Sequence, residues 1–356
     1  MQIWQPASKL LIWGRNPFLL ENSMTLDRPA VHNLLALANG DHGPAHTRLR
    51  DSISEHGLAV FDEHGIDPEL LALLQRYLNR FYAQPLVIKQ GYELPDIGRQ
   101  RGYTSPQTEH ARDKSPELAD LKEYWHEGPP YGELIGLHAN LITDWPGFDD
   151  VRRRMHSELR TRVDIVLRAI APLLGVSPEW LVKYASGGDD LVRFLRYPAL
   201  RGQKFKPGAK RASEHTDTNF ITALLSKGKG LVARTMQGRR LELDIGPQQL
   251  VVQMGDFMGV LSGGLLPATL HWVENPEEQD TVRDSIAFFN HPNGLHCLDV
   301  LPHLRRDDFV WDPCTERAAT EKRLVEIGIL DASKVKYANE FASRGYHFPS
   351  PWPNHI

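Results

Sequence analysis

The sequence has only two cysteines, Cys297 and Cys314, among its 356 residues. So few thiols exclude a disulfide-rich scaffold and a zinc site built from several cysteines. A strong excess of one charge is also missing, because 41 basic and 45 acidic side chains give a formal charge of −4. This balance argues against nucleic-acid binding, which favours a strongly basic domain. Any metal would be held by imidazole and carboxylate groups, and the chain contains 16 histidines.

Long hydrophobic runs are absent as well. No stretch approaches the roughly 20 apolar residues that a membrane span needs. The apolar patches before residue 24 are interrupted by proline and polar residues, so they lack the continuous core of a signal peptide. We therefore expect a cytoplasmic protein with no membrane partner. We interpret residues 1–23 as a poorly ordered N-terminal extension.

The first half of the chain is predicted to be mainly helical. A short strand is expected at residues 58–61, and a short helix capped by Ser177 is expected to end near Tyr184. Residues 92–135 are rich in glycine, proline and charge, and we expect them to be irregular. Apolar residues recur at helical intervals in four segments: 30–39, 46–56, 68–82 and 148–174.

The second half changes to short strand-like runs separated by glycine, proline, asparagine and aspartate. Eight such runs occur at 191–197, 220–225, 230–235, 241–245, 250–255, 257–262, 268–273 and 284–290. This density of short strands predicts a jelly roll or a related barrel. Helical spacing returns at residues 316–329, so helices are expected to flank a mainly β core.

One group of residues in the β region has the pattern of a metal site. His215 and Asp217 are two residues apart, so they share one face of an extended strand. His271 lies in another strand-like run. Two imidazoles and one carboxylate form the facial triad of non-haem iron(II) sites, which leaves positions open for other ligands. A His-x-Asp pair alone is also typical of a surface turn. The presence of His271 in another strand-like run favours a metal site over a turn.

Arg283 and Ser285 follow His271 by about a dozen residues and again share a strand face. A guanidinium fork beside a hydroxyl is well suited to a carboxylate ligand. Two other features of the sequence do not indicate a binding site. The histidines around Cys297 fit no zinc spacing, and the basic run at 204–211 is interpreted as a solvated loop.

With these motifs, the chain resembles the iron(II)- and 2-oxoglutarate-dependent dioxygenase superfamily, in the branch that includes isopenicillin N synthase. The resemblance covers roughly residues 45–300. The N-terminal half matches through the segment SISEHGLAVFDEHGIDPELLALLQRYLNRFYAQPLVIK. The catalytic half matches through the phrases FLRYPAL, EHTDTNFITALL, GLVART, LVVQMGDFMGVLSGGLLPATLHWV and RDSIAFFNHPN.

The resemblance implies a double-stranded β-helix, or jelly roll, with a helical N-terminal region packed against it. The implied regions are an N-terminal extension (1–28), a helix-rich region (29–186), the jelly-roll core (187–300) and a C-terminal helix and tail (301–356).

The resemblance also implies the site. His215, Asp217 and His271 would be the iron ligands, with no catalytic residue beyond the metal centre. Arg283 and Ser285 would bind the distal carboxylate of 2-oxoglutarate. Tyr197 lies where the family often has a tyrosine that reaches the same carboxylate, and a half-buried strand aromatic is the alternative reading.

The implied reaction uses Fe(II), 2-oxoglutarate and O2 to oxidise a C–H bond of a small molecule, releasing succinate and CO2. Hydroxylation is the default outcome, and desaturation or ring closure stay open. Isopenicillin N synthase keeps a similar Arg-x-Ser motif without 2-oxoglutarate, so an iron oxidase of that type is an alternative. An inactive jelly-roll binding protein is another alternative.

The expected partner is a small-molecule substrate, with no nucleic acid, and the oligomeric state is not readable from the sequence. We expect the substrate pocket to be lined from the barrel mouth, residues 92–135 and the C-terminal tail. The candidate substrate residues are Tyr103, Trp125, Arg193, Phe220, Phe289 and His291. Phe220 and Phe289 also fit a core role, and Arg193 also fits a surface ion pair.

Overall fold

The computed structural model describes residues 29–38, 44–110, 118–226, 228–278, 280–311 and 313–335. The predicted N-terminal extension and most of the C-terminal tail lie outside the described residues. The helices of the described part are α1 (Leu34–Ala38), α2 (Pro44–His56), α3 (Pro68–Tyr82), α4 (Leu86–Gln90), α5 (Phe148–Ile170), α6 (Pro178–Tyr184), α7 (Asp256–Leu261) and α8 (Glu316–Glu326).

The strands fall mostly after residue 186. They are β1 (Val31–Asn33), β2 (Leu58–Asp62), β3 (Gly102–Thr104), β4 (Glu123–Glu127), β5 (Leu191–Tyr197), β6 (Ala212–His215), β7 (Ile221–Ser226), β8 (Gly228–Arg234), β9 (Arg240–Ile245), β10 (Leu250–Met254), β11 (Leu270–Val273), β12 (Arg283–Asn290), β13 (Cys297–Leu298) and β14 (Cys314–Thr315).

Two antiparallel sheets form the centre of the fold. The larger sheet has eight strands in the order β1-β2-β10-β7-β12-β5-β4-β3, and the smaller has four in the order β6-β11-β8-β9. The pair β1–β2 is parallel, and β13 with β14 forms a separate small pair. The arrangement confirms the predicted jelly roll, and β1 to β4 of the helix-rich half extend the larger sheet at its two edges.

The core has two layers because the larger sheet is covered on both faces. Between the sheets lies an apolar layer that includes Leu195, Leu224 and Val251 from the larger sheet and Leu231 and Leu243 from the smaller one. β9 lies at the edge of the smaller sheet and alternates exposed and buried residues. β7 and β10 are buried along their whole length, as expected for strands that are covered on both faces.

The second apolar layer lies between the larger sheet and the helices. α5 carries buried Met155, Leu159 and Val163 at helical spacing and packs across β12, β4 and β7. α3 begins at Pro68 after Asp67, whose carboxylate accepts a hydrogen bond from the Glu69 N–H. The helices therefore cover one face of the larger sheet, and the other face lies against the smaller sheet.

Three local predictions were wrong. Residues 257–262, expected as a strand, form most of helix α7, because a short apolar run fits either structure and Asp256 supplies a helix start. Residues 31–33, expected as helix, form β1. The segment 92–135, expected to be irregular, contains β3 and β4, and Glu123 and Glu127 of β4 are buried in ion pairs.

No single helix within the described ranges is both long and apolar enough to cross a membrane. The segment from α5 to Leu174 passes such a test only together with α6, and the two are bent by 118°.

Candidate active site

Three side chains converge at the open end of the space between the sheets. His271 of β11 pairs with His215 at the end of β6, and their ring centroids lie 4.4 Å apart. Asp217 follows in the next loop, with its Oδ1 atom 3.6 Å from His215 Nε2 and 3.9 Å from His271 Nε2. One ligand atom from each residue lies within 4.8 Å of the others. The structure thus brings together the three predicted iron ligands.

Hydrogen bonds leave one free ligand atom on each of these side chains. His215 Nδ1 lies 2.7 Å from the Ser213 carbonyl, and His271 Nδ1 lies 3.1 Å from the Thr269 carbonyl. Each Nδ1–H donates to the carbonyl two residues earlier. Each histidine is therefore the tautomer in which Nε2 carries no proton and can accept. Asp217 Oδ2 accepts a hydrogen bond of 2.6 Å from the Thr222 hydroxyl, which leaves Oδ1 free. Such outer contacts orient metal ligands.

The charges of the site suit a metal ion. Burial, followed by the nearby His271, lowers the pKa of His215 to about 3, so its imidazole is neutral near pH 7. Burial alone would raise the pKa of Asp217, but His271, His215 and the Thr222 hydrogen bond outweigh it and lower the pKa. Two imidazoles and one carboxylate are the donor set of mononuclear iron(II) oxygenases. The residues present therefore fit Fe(II).

A second group of candidate residues lies at the paired ends of β5 and β12. Arg283 pairs with Tyr197 across these strands, and its guanidinium carbon lies 5.1 Å from the centre of the Tyr197 ring. Ser285 is two residues further along the same strand face. All three are buried, and the Nε and Nη2 atoms of Arg283 have no partner among the described residues. A buried guanidinium with two free N–H groups fits a carboxylate ligand.

A cleft opens beside the metal-ligand group. Arg193, Phe289 and His291 line it together with His215 and Asp217. Three of the six predicted substrate residues thus lie at the cleft, and α8 forms part of the wall opposite them.

The structure places the other three predicted substrate residues elsewhere. Tyr103, Trp125 and Phe220 are fully buried in the apolar layer between the larger sheet and the helices. The Tyr103 hydroxyl donates to Glu123, and the Trp125 indole donates to Glu127. Aromatic residues at helix-facing positions of a sheet have the same sequence pattern as pocket residues, so sequence reasoning could not separate them.

Sequence reasoning also missed several residues of the site. Thr222, whose hydroxyl donates to Asp217, was interpreted only as part of an apolar strand. On β7 it lies two residues from Leu224, so it shares the face that points into the space between the sheets. Glu109 lies in the cleft and pairs with Arg193 at 3.2 Å, and nothing in its local sequence marks it. The pKa of Glu109 is lowered because Arg193 and Lys122 outweigh its burial.

Two family models match the chain. The non-haem dioxygenase N-terminal domain, described from morphine synthesis, matches residues 31–146. The 2OG-Fe(II) oxygenase superfamily matches residues 190–292, a region that holds the metal-ligand group and Arg283. Together the two regions take up more than half of the chain. The chain belongs to the iron(II)- and 2-oxoglutarate-dependent oxygenase superfamily.

Curated relatives agree with this assignment. The oxygenase is 27% identical over 275 residues to the 2-oxoglutarate-dependent dioxygenase frbA of Dothideomycetidae sp. (strain 11243), a match that covers 71% of this chain and 82% of that protein. It is 27% identical over 260 residues to gibberellin 20 oxidase 1-A of Triticum aestivum, covering 72% and 70% of the two chains.

Solved structures show the same fold. A 2OG-Fe(II) oxygenase family protein from Caulobacter crescentus superposes with a TM-score of 0.71 at 26% identity, covering 84% of this chain and 98% of that one. A full-length Neurospora crassa protein, solved in complex with alpha-KG and thymine, gives a TM-score of 0.72 at 23% identity, covering 83% and 96%. This oxygenase therefore uses Fe(II), 2-oxoglutarate and O2 on a small molecule, as predicted.

Proposed function

We propose that this oxygenase hydroxylates an unactivated C–H bond of a small organic substrate bound in the cleft beside His215 and Asp217. The balanced reaction consumes the substrate, 2-oxoglutarate and O2, and yields the hydroxylated product, succinate and CO2. The observation that carries the proposal is the convergence of three free ligand atoms beside an open cleft. The buried guanidinium of Arg283, two of whose nitrogen atoms have no partner among the described residues, adds a place for the cosubstrate.

In this proposal His215, Asp217 and His271 hold the iron. When bound, iron(II) with 2-oxoglutarate activates O2 and supplies the oxidising power for C–H cleavage. Backbone carbonyls keep the two histidines in the tautomer that leaves Nε2 free. The Ser213 carbonyl does so for His215, and the Thr269 carbonyl does so for His271. None of the three side chains needs to transfer a proton.

Arg283, Ser285 and Tyr197 would hold the distal carboxylate of 2-oxoglutarate. The two free N–H groups of Arg283 can donate in parallel to the two carboxylate oxygens, and such bidentate pairs fix direction as well as energy. The Ser285 hydroxyl lies on the same strand face and can donate a third hydrogen bond. These contacts would orient the cosubstrate along the barrel with its keto-acid end toward the metal ligands.

Arg193, Phe289 and His291 would position the substrate. The guanidinium of Arg193 lies over the Tyr124 ring at 4.1 Å and over the Phe289 ring at 5.0 Å. Its Nε donates to His126 and its Nη1 to Glu109, whereas no described residue accepts from its Nη2. This nitrogen can donate to a carbonyl or carboxylate oxygen of the substrate, and the Phe289 ring can pack against an apolar part.

The test is a turnover assay with the Fe(II)-loaded protein and 2-oxoglutarate, prepared without oxygen and then exposed to isotopically labelled O2. A panel of small carboxylic acids and heterocyclic carbonyl compounds is screened for succinate release above the level without substrate. Hydroxylation predicts a product that gains one labelled oxygen atom. A product that loses two hydrogens without gaining oxygen would instead show desaturation or ring closure. Complete absence of succinate would overturn the proposal.

A further inference from the structure

Arg211 is a buried cation that the iron and cosubstrate contacts above do not use. It lies just before β6, at the end of the run 204–211 that the sequence pattern placed in a solvated loop. That interpretation does not hold for Arg211, since only 2% of it is exposed. Its Nη2 donates to the backbone carbonyls of Pro198 and Thr281, and its Nε has no partner among the described residues.

The Arg211 guanidinium lies close to the same tyrosine as Arg283. Its carbon is 6.0 Å from the centre of the Tyr197 ring, and that of Arg283 is 5.1 Å from it. The carbonyls that Arg211 reaches belong to the residue after Tyr197 and to the second residue before Arg283. Arg211 thus joins the ends of β5 and β12 at the pocket proposed for the distal carboxylate.

The two arginines form a buried positive region, and the charge of Asp284 acts on Arg283 without an ion pair between them. In the part of the chain that the structure describes, no carboxylate contacts the guanidinium of Arg211 or Arg283. Burial lowers the pKa of both groups, and the charge of Arg283 lowers that of Arg211 further. Arginine still stays protonated near pH 7. Two buried like charges are unfavourable unless an anion binds beside them.

A further unpartnered atom lies on the same part of the sheet. Ser226 of β7 pairs with Ser285 of β12, so the two hydroxyls share a face. The Ser226 Oγ atom is buried without a partner among the described residues, as are Arg211 Nε and the Nε and Nη2 of Arg283. Unsatisfied buried polar atoms are rare in folded proteins. Their concentration near the paired ends of β5, β7 and β12 indicates a polar ligand at this position.

We propose that Arg211 is a second cationic residue of the cosubstrate pocket, which raises the affinity for 2-oxoglutarate through its distal carboxylate. The inference rests on the proposed placement of that carboxylate at Arg283 and Ser285. Arg211 acts on the negative charge at long range and through its free Nε–H, while its Nη2 keeps the strand ends together. The pocket is therefore selective for keto acids that carry a second carboxylate.

The experiment measures dissociation constants by calorimetry, with the Fe(II)-loaded protein under nitrogen and without turnover. Two probes are compared: 2-oxoglutarate and 2-oxopentanoate, which has a methyl group in place of the distal carboxylate. Arg211→Gln should weaken 2-oxoglutarate binding about tenfold, or about 1.4 kcal/mol, and leave 2-oxopentanoate binding unchanged. Arg211→Lys keeps the charge and should lose much less.

The matched control is Arg201→Gln, which removes an exposed arginine that pairs with Asp280 near the same strand ends. It should change neither dissociation constant. If Arg211 only ties the strand ends, Arg211→Lys and Arg211→Gln will lower the thermal midpoint alike and affect both keto acids equally, which overturns the inference. If Arg211→Gln does not fold, the lysine variant still decides: 2-oxoglutarate binding that stays close to normal supports the charge role, and an equal loss for both keto acids contradicts it.

Arg283→Gln separates this inference from the proposed function. If that variant loses 2-oxoglutarate binding and Arg211→Gln binds normally, the role of Arg211 is wrong and the carboxylate pocket stands. If Arg283→Gln binds 2-oxoglutarate as the unaltered protein does, the pocket itself is misplaced, and both proposals fall.

Discussion

His271 of β11 lies directly opposite His215 of β6 in the antiparallel pairing, and the two rings are 4.4 Å apart. Directly paired residues share a face, so the sheet brings together two histidines that are far apart in sequence. The loop after β6 then turns Asp217 toward both Nε2 atoms. The smaller sheet therefore creates the metal-ligand group by its strand register.

Thr222 is predicted to strengthen iron binding through Asp217. Thr222→Val keeps the shape of the side chain but removes the hydrogen bond to Asp217 Oδ2. We expect Fe(II) affinity to fall about 10- to 100-fold, the usual effect of losing such an outer contact. Competition with a chelator under nitrogen measures it. Thr161→Val, on the outer face of α5, should bind iron normally, and equal affinity in all three proteins would contradict the prediction.

Arg193 is predicted to act on the substrate and not on the cosubstrate. Arg193→Gln should lower kcat/KM for the substrate about tenfold or more, because a charge-assisted hydrogen bond is lost. The dissociation constant of 2-oxoglutarate should be unchanged. Arg196→Gln is the matched control, since Arg196 lies on the opposite face of β5 and pairs with Asp284. An equal loss in both variants would refute the assignment.

Trp125 is predicted to support the core and not the cleft. Its ring contacts Phe81 and Phe148, and the Arg152 guanidinium lies 4.5 Å from it. Trp125→Ala should reduce the free energy of unfolding by about 3–5 kcal/mol. Denaturant titration measures this change. The exposed Trp180 gives the control, for which we expect a loss below about 1 kcal/mol. If Trp125→Ala is as stable as the unaltered protein but binds substrate more weakly, Trp125 contacts the substrate and the prediction is wrong.

His291 should make stability depend on pH. Its Nδ1 lies 2.9 Å from Glu316 of α8. Burial alone would lower its pKa, but Glu316, Asp190 and Asp189 outweigh burial and raise the pKa above 6.5. A raised folded-state pKa stabilises the protein below the unfolded value of about 6.5, and the gain is lost as pH rises through the folded value.

His291→Gln should therefore destabilise the fold by roughly 1–3 kcal/mol at pH 6 and by less at pH 9. Urea unfolding at the two pH values checks this difference. The control is Thr161→Val, which removes no ionisable group, so its effect should be the same at both pH values. A His291→Gln effect that grows with pH would show that the charged pair is absent.

Sequence reasoning located most strands of the catalytic half because short runs and turns are local signals. His215 and Asp217 were visible as a pair, and Arg283 with Ser285 as another, through their period-two spacing. The strand reason holds only for Arg283 and Ser285, because Asp217 lies in the loop after β6. β4 was missed because Glu123 and Glu127 look like surface residues. The structure buries them beside Lys89 and Arg152, which lie far away in sequence.

The parts of the site that sequence could not supply depend on long-range pairing. Glu109 is held in the cleft by Arg193 of β5 together with Lys122 and the Tyr124 hydroxyl. Arg211 looks solvated within a basic run, and its burial follows from contacts with Pro198 and Thr281. α8 reaches the cleft through the ion pair of Arg323 with Asp256, at 3.0 Å. Hydrophobic periodicity predicts single helices and strands, whereas these contacts join several elements that lie far apart in sequence.

The central claim is that His215, Asp217 and His271 hold the iron that drives 2-oxoglutarate oxidation. The most direct measurement compares the unaltered protein with Asp217→Ala, by iron content after anaerobic loading and dialysis and by succinate formed when O2 is admitted. We predict iron and succinate for the unaltered protein and neither for the variant. An Asp217→Ala protein that retains iron and forms succinate as the unaltered protein does would contradict the account.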